Sequence, residues 1–317
     1  MTDPRQQFAR TASELVDEDL SVALVYAEIS GQYFTGVQRR HPDRVINVGI
    51  REQLLVNVGA GLALSGMRPI VHTFGSFLVE RAFEQIKLGF NHQDVGGVLV
   101  GSGGSVDVSG GGRTHQSPGD VALLDTLPGW TVHVPGHADE VAAALRQAVT
   151  GEGRAYLRVT AQQNQRPYPV TPGRFHVVRR GAGATVVAVG PMLDPVLAAV
   201  ADLDVTVLYA GTVRPFDSAG LRAVLTTPEV VLVEPYLAGT SSSLVADALR
   251  DVPHRLLALG IGVEELRRYG SPEDLLTAHG LDAAGLRAPV TRFLAQPGAG
   301  PVEPRTSRWV GSTSRAG

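Results

Sequence analysis

The 317-residue chain contains no cysteine. That excludes disulfides, thiolate metal centres and a cysteine nucleophile, and it fits a reducing cytoplasm. No run of about 18 apolar residues occurs, so no membrane-spanning helix is expected. Charge of one sign is not in excess either. With 28 Lys and Arg against 31 Asp and Glu, the formal net charge is −3, which recommends neither nucleic acid nor an anionic membrane as a partner. The first residues, Met1-Thr2-Asp3-Pro4, are polar and lack the apolar core of a signal peptide. There is no internal repeat. The spacing G-x-G-x-x-G with a downstream ribose-binding acid is absent, so the Gly110-Gly111-Gly112 run is not a dinucleotide fingerprint.

What is present is ordinary globular composition, 44% hydrophobic and 19% charged, in a length suited to two domains. Short apolar runs alternate with longer amphipathic stretches, the pattern of parallel α/β domains. Strands are predicted near 22–26, 45–48, 69–73, 97–101, 130–134 and 155–159, with helices over 14–19 and the turns before it, 51–64, 77–89 and 139–150. Gln162–Gly173 is polar and holds Pro167, Pro169 and Pro172, which marks a linker. A second unit follows, with strands near 184–189, 205–209 and 230–233 and helices over 193–203, 218–225, 244–249 and 272–279. The boundaries expected are 1–165 for the first domain, 166–178 for the linker and 179–296 for the second domain. Residues 297–317, rich in Gly, Pro, Ser and Arg, are expected to form a disordered tail.

Three segments of the first domain carry chemistry. Val45-Ile46-Asn47-Val48-Gly49-Ile50-Arg51-Glu52-Gln53 puts one carboxylate, Glu52, where an apolar strand gives way to an apolar helix. Such a group must be neutralised, paired, or hold a proton for chemistry, because burial disfavours its charge. By position alone it could equally serve the N-terminal end of the helix dipole. His72-Thr73-Phe74-Gly75-Ser76-Phe77 leads into Arg81-Ala82-Phe83-Glu84-Gln85-Ile86. Ser109-Gly110-Gly111-Gly112-Arg113-Thr114-His115-Gln116 supplies an imidazole, a side chain suited to moving a proton near neutral pH. His137 and Asp139 lack a third convergent ligand and are read as surface residues.

Together and in this order the three segments resemble the pyrimidine-binding domain of transketolases. Val213-Arg214-Pro215-Phe216-Asp217 and Val233-Glu234-Pro235 resemble that family's C-terminal domain, so the likeness runs over roughly residues 8–295. The resemblance implies a thiamine-diphosphate-type parallel α/β domain followed by a C-terminal-type α/β domain, and dependence on thiamine diphosphate. It implies that Glu52 hydrogen-bonds the aminopyrimidine N1′ and that Phe74 and Phe77 wrap that ring. Glu28 matches an acid near the thiazolium, with Ile29 beside it on the cofactor. His115 matches the histidine of a T-H-Q segment facing the substrate, and Arg10 and Ser30 match positions at the substrate's phosphate end.

Departures accompany the likeness. The segment Leu78-Val79-Glu80 is one residue longer than in several transketolases. The acid that reads sugar hydroxyls shortly before T-H-Q is replaced by glycine, Arg113 replaces a common proline, and a phosphate-binding arginine falls at Ala161. An unusual ketose or aldose is the implied substrate. The family's diphosphate-binding domain, whose G-D-G motif and downstream Asn hold Mg²⁺ or Ca²⁺, has no counterpart in the sequence. The expectation is thus the C-terminal subunit of a split transketolase, an α₂β₂ enzyme whose partner subunit carries the metal, while this chain binds none. A synthase making deoxyxylulose phosphate also shares the motifs but is normally one long chain, and two further alternatives stand beside it. One is the β subunit of a 2-oxo acid dehydrogenase decarboxylase component, where the third segment reads more like A-Q-H-S-Q. The other is a non-catalytic scaffold paralogue.

Overall fold

The computed structural model describes residues 2–296, so the expected tail 297–317 lies outside the described residues. The first domain contains α1 (Pro4–Glu18), β1 (Val22–Tyr26), α2 (Gly31–Arg40), β2 (Val45–Asn47), α3 (Glu52–Leu64) and β3 (Arg68–Phe74). A helical stretch over 76–92 follows, with wide π-type turns at Ser76–Arg81 and Ile86–His92 around a short α4 (Phe83–Gln85). Then come β4 (Gly97–Ser102), a 3₁₀ segment Ser109–His115, α5 (Asp120–Leu124), β5 (Trp130–His133), α6 (Ala138–Thr150) and β6 (Arg154–Val159).

The second domain holds β7 (His176–Arg179), β8 (Thr185–Val189), α7 (Leu193–Ala199), β9 (Thr206–Ala210), β10 (Thr212–Arg214), α8 (Ser218–Val224) and β11 (Glu229–Leu237). It ends with α9 (Ser242–Ala248), β12 (Arg255–Ile261), α10 (Pro272–Ala278) and α11 (Ala283–Ala295).

The α/β expectation is met by two sheets. The first runs β10-β5-β6-β4-β3-β1-β2 and the second β12-β11-β8-β9-β7. All pairings are parallel except β10 with β5 and β7 with β9, both at sheet edges. β1, β4 and β6 are buried along nearly their whole length, as expected of strands covered on both faces. Two departures from the expected layout concern the domain boundary. β7 begins inside the expected linker. β10 leaves the second domain to become an edge strand of the first sheet, where Thr212 lies opposite His133.

Apolar packing follows the same arrangement. One cluster joins Phe8, Val16 and Phe34 of the outer helices to Leu24, Val100 and Leu157 of the first sheet. Another runs without interruption from Leu55, Val71 and Phe90 of the first domain to Leu208, Leu232 and Val245 of the second. The domains therefore share a core.

The helical stretch 76–92 owes its wide turns to its apolar spacing. Leu78, Ala82, Ile86 and Phe90 are all fully buried and recur every four residues. Over twelve residues an α-helix would rotate such a stripe away by about 120°. Turns closed by i→i+5 bonds hold it on one face.

Candidate active site

The site residues follow the carboxyl ends of parallel strands, where open α/β sheets place ligands. Glu28 and Ile29 follow β1, Glu52 follows β2, Phe74 ends β3, Asp107 follows β4, and Thr160 with Ala161 follows β6.

Glu52 is the first residue of α3 and only 2% exposed. Its carboxylate accepts no hydrogen bond from the helix amides. It accepts instead from Arg81 Nη1 at 2.9 Å through Oε2, which leaves Oε1 without a hydrogen bond among the described residues. Glu52 makes no hydrogen-bonded cap, although as the first residue of α3 it stays within the first turn, at the positive end of the helix dipole. Arg81 in turn lies over the Phe77 ring, 3.9 Å from its centroid. Arg81 carries no signal of this role in its own neighbourhood, because its meeting with Glu52 depends on the wide turn between Ser76 and Arg81.

Aromatic contacts continue the chain. Phe77 meets the His115 ring edge-on at 4.9 Å, Phe74 meets it at 5.6 Å, and the two Phe rings lie 5.9 Å apart. Such edge-to-face pairs are favourable because the rim of one ring is electropositive and the face of the other electronegative. Both Phe side chains are half-buried, so each keeps an open surface. His115 Nδ1 is 2.9 Å from Thr114 Oγ1. Beyond Phe74, the guanidinium of Arg5 sits 5.4 Å from the ring centroid. Glu52, Arg81, Phe77, His115, Phe74 and Arg5 form one continuous line of contacts.

The loop carrying His115 is fixed by a buried network. Arg158 Nε donates to Asp120 Oδ2 at 2.8 Å, and Tyr156 donates to the same oxygen at 2.8 Å. Arg158 Nη2 reaches Ser105 Oγ at 2.7 Å, and Ser105 donates to the Pro235 carbonyl. Ser105 holds a left-handed φ of 56°, which an L-residue adopts at a cost the network offsets. Further along, Ser109 Oγ donates to the Gly270 carbonyl at 2.5 Å.

The remaining expected residues fall as follows. Glu28 is exposed, with a φ of 62°, and its carboxylate accepts from Asn47 Nδ2 at 3.0 Å. Ile29, half-buried beside it, donates its N–H to the Ala27 carbonyl at 2.7 Å. Ser30 is 3% exposed with its Oγ 3.0 Å from His72 Nε2. His72 Nδ1 lies 3.0 Å from the Val100 carbonyl, so Nδ1 must donate and Nε2 must accept. The Ser30 hydroxyl proton is therefore committed to His72. Burial against Phe8 and Phe34 pushes the His72 imidazole down to about 3, which keeps it neutral. Arg10 is not brought to the aromatic cluster; it pairs with Glu14 at 2.9 Å on an exposed face.

His137 proves to be 8% exposed rather than a surface residue, and its Nδ1 caps α6 by accepting from Asp139 N at 3.1 Å. Among the described residues no group of three or more His, Cys, Asp or Glu is arranged to hold a metal. Nor is any described helix long and apolar enough to cross a membrane.

A buried carboxylate, an aromatic wall and a T-H-Q loop thus gather at the carboxyl edge of a mostly parallel sheet in a two-domain α/β protein. Residues 2–166 match the family model for the transketolase pyrimidine-binding domain, and residues 173–286 match that for the transketolase C-terminal domain. The chain belongs to the transketolase family. It is 49% identical over 297 residues to an uncharacterized 33.6 kDa protein in the fasciation locus of Rhodococcoides fascians, covering 92% of this chain and 95% of that one. It is 30% identical over 299 residues to the 1-deoxy-D-xylulose-5-phosphate synthase of Thermotoga petrophila, covering 90% of this chain but 48% of the synthase. The chain thus spans about half the length of the synthases it matches. Among solved structures, a split-gene transketolase in an inactive β4 tetramer superposes with a TM-score of 0.82 at 28% identity, covering 93% of this chain and 99% of the other.

Proposed function

We propose that this chain is the C-terminal subunit of a split transketolase, a thiamine-diphosphate-dependent enzyme that moves a two-carbon ketol unit from a ketose to an aldose. The observation that carries the reading is Glu52, buried beside Arg81 and the Phe77–His115–Phe74 cluster, with one carboxylate oxygen uncommitted.

That arrangement fits the aminopyrimidine half of the cofactor, a flat heteroaromatic ring with a nitrogen able to bond a carboxyl group. Glu52 would hold and yield the proton at N1′, Phe74 and Phe77 would orient the ring and exclude water, and Glu28 with Ile29 would lie toward the thiazolium. When bound, thiamine diphosphate supplies a ring able to accept the electron pair of a cleaved carbon–carbon bond. His115 is suited to take or return a proton at a substrate oxygen, work that general acid–base groups perform for about 10²–10⁴ in rate.

The chain contains no G-D-G motif to grip a metal-bound diphosphate. A second, N-terminal subunit carrying that motif, with Mg²⁺ or Ca²⁺, would complete the site in an α₂β₂ assembly. The β4 tetramer of the split-gene neighbour, described as inactive, supports this reading. A soluble assembly handling sugars in the cytoplasm is the setting proposed.

The test is reconstitution. The isolated chain should bind thiamine diphosphate negligibly and transfer no ketol unit, and adding the partner subunit should restore both. Full activity from the chain alone overturns the split-enzyme reading. Turnover of a 2-oxo acid onto a lipoyl acceptor, with no turnover of ketoses, would reassign the chain to the decarboxylase class.

A further inference from the structure

A pocket of about 280 Å³ opens beside the aromatic cluster, walled by Arg5, Tyr33, Ser102, Gly103, Asp107 and Thr160. It adjoins the cluster directly: Arg5 stacks over Phe74, and Gly103 packs so close that an added Cβ would lie 3.2 Å from the Phe74 ring. None of the pocket's polar residues belongs to the expected set of cofactor contacts.

Three observations define its chemistry. Ser102 is 1% exposed, and its Oγ has no hydrogen-bond partner, so a buried hydroxyl awaits one. Such groups are normally satisfied by protein, water or ligand. Next to it the Asp107 carboxylate takes the Ala161 amide at 2.6 Å through Oδ2. Burial pushes this carboxyl up to about 7, against the opposing pull of the Ala161 amide, Arg158 and Arg5, so near neutrality it can donate as well as accept. Finally, the walls hold Asp3 and Asp107 against a single cation, Arg5. The Ser30 hydroxyl, whose proton is given to His72, offers nothing to an anion from that side.

We propose that this pocket is the subsite for the distal end of the sugar, and that Ser102 and Asp107 select an uncharged polyol terminus over a phosphate ester. Hydroxyls of a sugar tail satisfy Ser102, Thr160 and Tyr33 as donors or acceptors in turn. A phosphate dianion would meet the Asp3 carboxylate and an Asp107 that is ionised part of the time near neutrality, against one guanidinium. A site built to bond hydroxyls penalises a ligand that leaves those groups unpaired. The inference rests on the ketol-transfer reading above and names the substrate class for it.

The experiment compares D-xylulose with D-xylulose 5-phosphate as donors for the complex assembled with its partner subunit. The free sugar is expected to have a kcat/KM at least tenfold higher. Ser102→Ala should raise the KM for the free sugar about tenfold with kcat little changed. Asp107→Asn, which keeps the shape and the Ala161 contact, should narrow the preference between the two donors. Thiamine diphosphate affinity should stay unchanged in both variants. Preference for the phosphate ester, or unchanged KM and preference in both variants, overturns the proposal. If the complex turns over neither sugar, the ketol-transfer reading fails. The subsite is then judged by calorimetry: binding of D-xylulose tighter than its phosphate and weakened by Ser102→Ala sustains it, and equal or Ser102-independent binding sinks it.

Discussion

A carboxylate that is 2% exposed yet bonded to a guanidinium whose side chain is 42% exposed sits at the boundary between the protein interior and solvent. Glu52 is held firmly from one side and left open on the other, which is the condition for a group that must bond something brought from outside. Replacing it with alanine in the assembled complex should lower turnover by about 10²–10⁴, with the subunits still co-eluting in gel filtration. Near-normal rates would remove Glu52 from the chemistry. Glu52, Phe74, Phe77 and His115 were legible in the sequence because each stands in a short contiguous motif whose local structure is enough to aim it. Arg81, Arg5, Ser102 and Asp107 were not, since nothing in their own neighbourhoods marks them. Their contacts arise only when a wide helical turn, the start of α1 and the end of β4 converge.

The element that places Glu52 is α3, and it lies close upon β3. A Cβ at Gly59 would approach Val71 Cγ2 at 2.4 Å, so only glycine permits the contact. Gly59→Ala should destabilise the chain by roughly 1–3 kcal/mol through overpacking, read as a lower urea midpoint with an unchanged m-value. The buried strands of both sheets stood out in the sequence as short Val-rich runs, and α3 and α6 as apolar-periodic stretches. Other elements lacked such a signal. β10 is three residues long and is a strand only by virtue of pairing with β5. The run Arg255–Ile261 is a half-buried edge strand whose Leu-rich composition suits helix equally well. α2 carries Gly31 and Gly36 and has little intrinsic helical preference, so its packing against α1 and β2 decides its form.

At the scale of the whole molecule the two halves are joined by a shared apolar core and by β10, where His133 Nδ1 lies 2.9 Å from Thr212 Oγ1. Burial pushes the His133 imidazole down to about 4. Below its ordinary value near 6.5 the unfolded chain takes up a proton that the folded chain refuses, so stability rises with pH between 4 and 6.5 and falls as the solution is acidified through that window. The effect is at most about 1.4 kcal/mol per pH unit for this group. His72 acts in the same direction. Asp107 and Glu234, both pushed up to about 7 by burial, act oppositely: their folded forms keep protons that the unfolded chain loses as pH rises from about 4 to 7. The difference between variants therefore isolates the histidine. His133→Gln should lose less stability than the parent chain on going from pH 6.5 to 4, by up to about 3 kcal/mol in chemical unfolding. Parallel curves would show that His133 titrates normally.

The fastening of the T-H-Q loop has a last consequence. Ser105 and Ser109, both ahead of His115, are tied to the carbonyls of Pro235 and Gly270, far along the chain in the second domain. On the ketol-transfer proposal that domain would behave as a jig, setting the angle at which the His115 imidazole meets a substrate. On that proposal, amino-acid changes around those two anchors would lower turnover before they lowered thermal endurance.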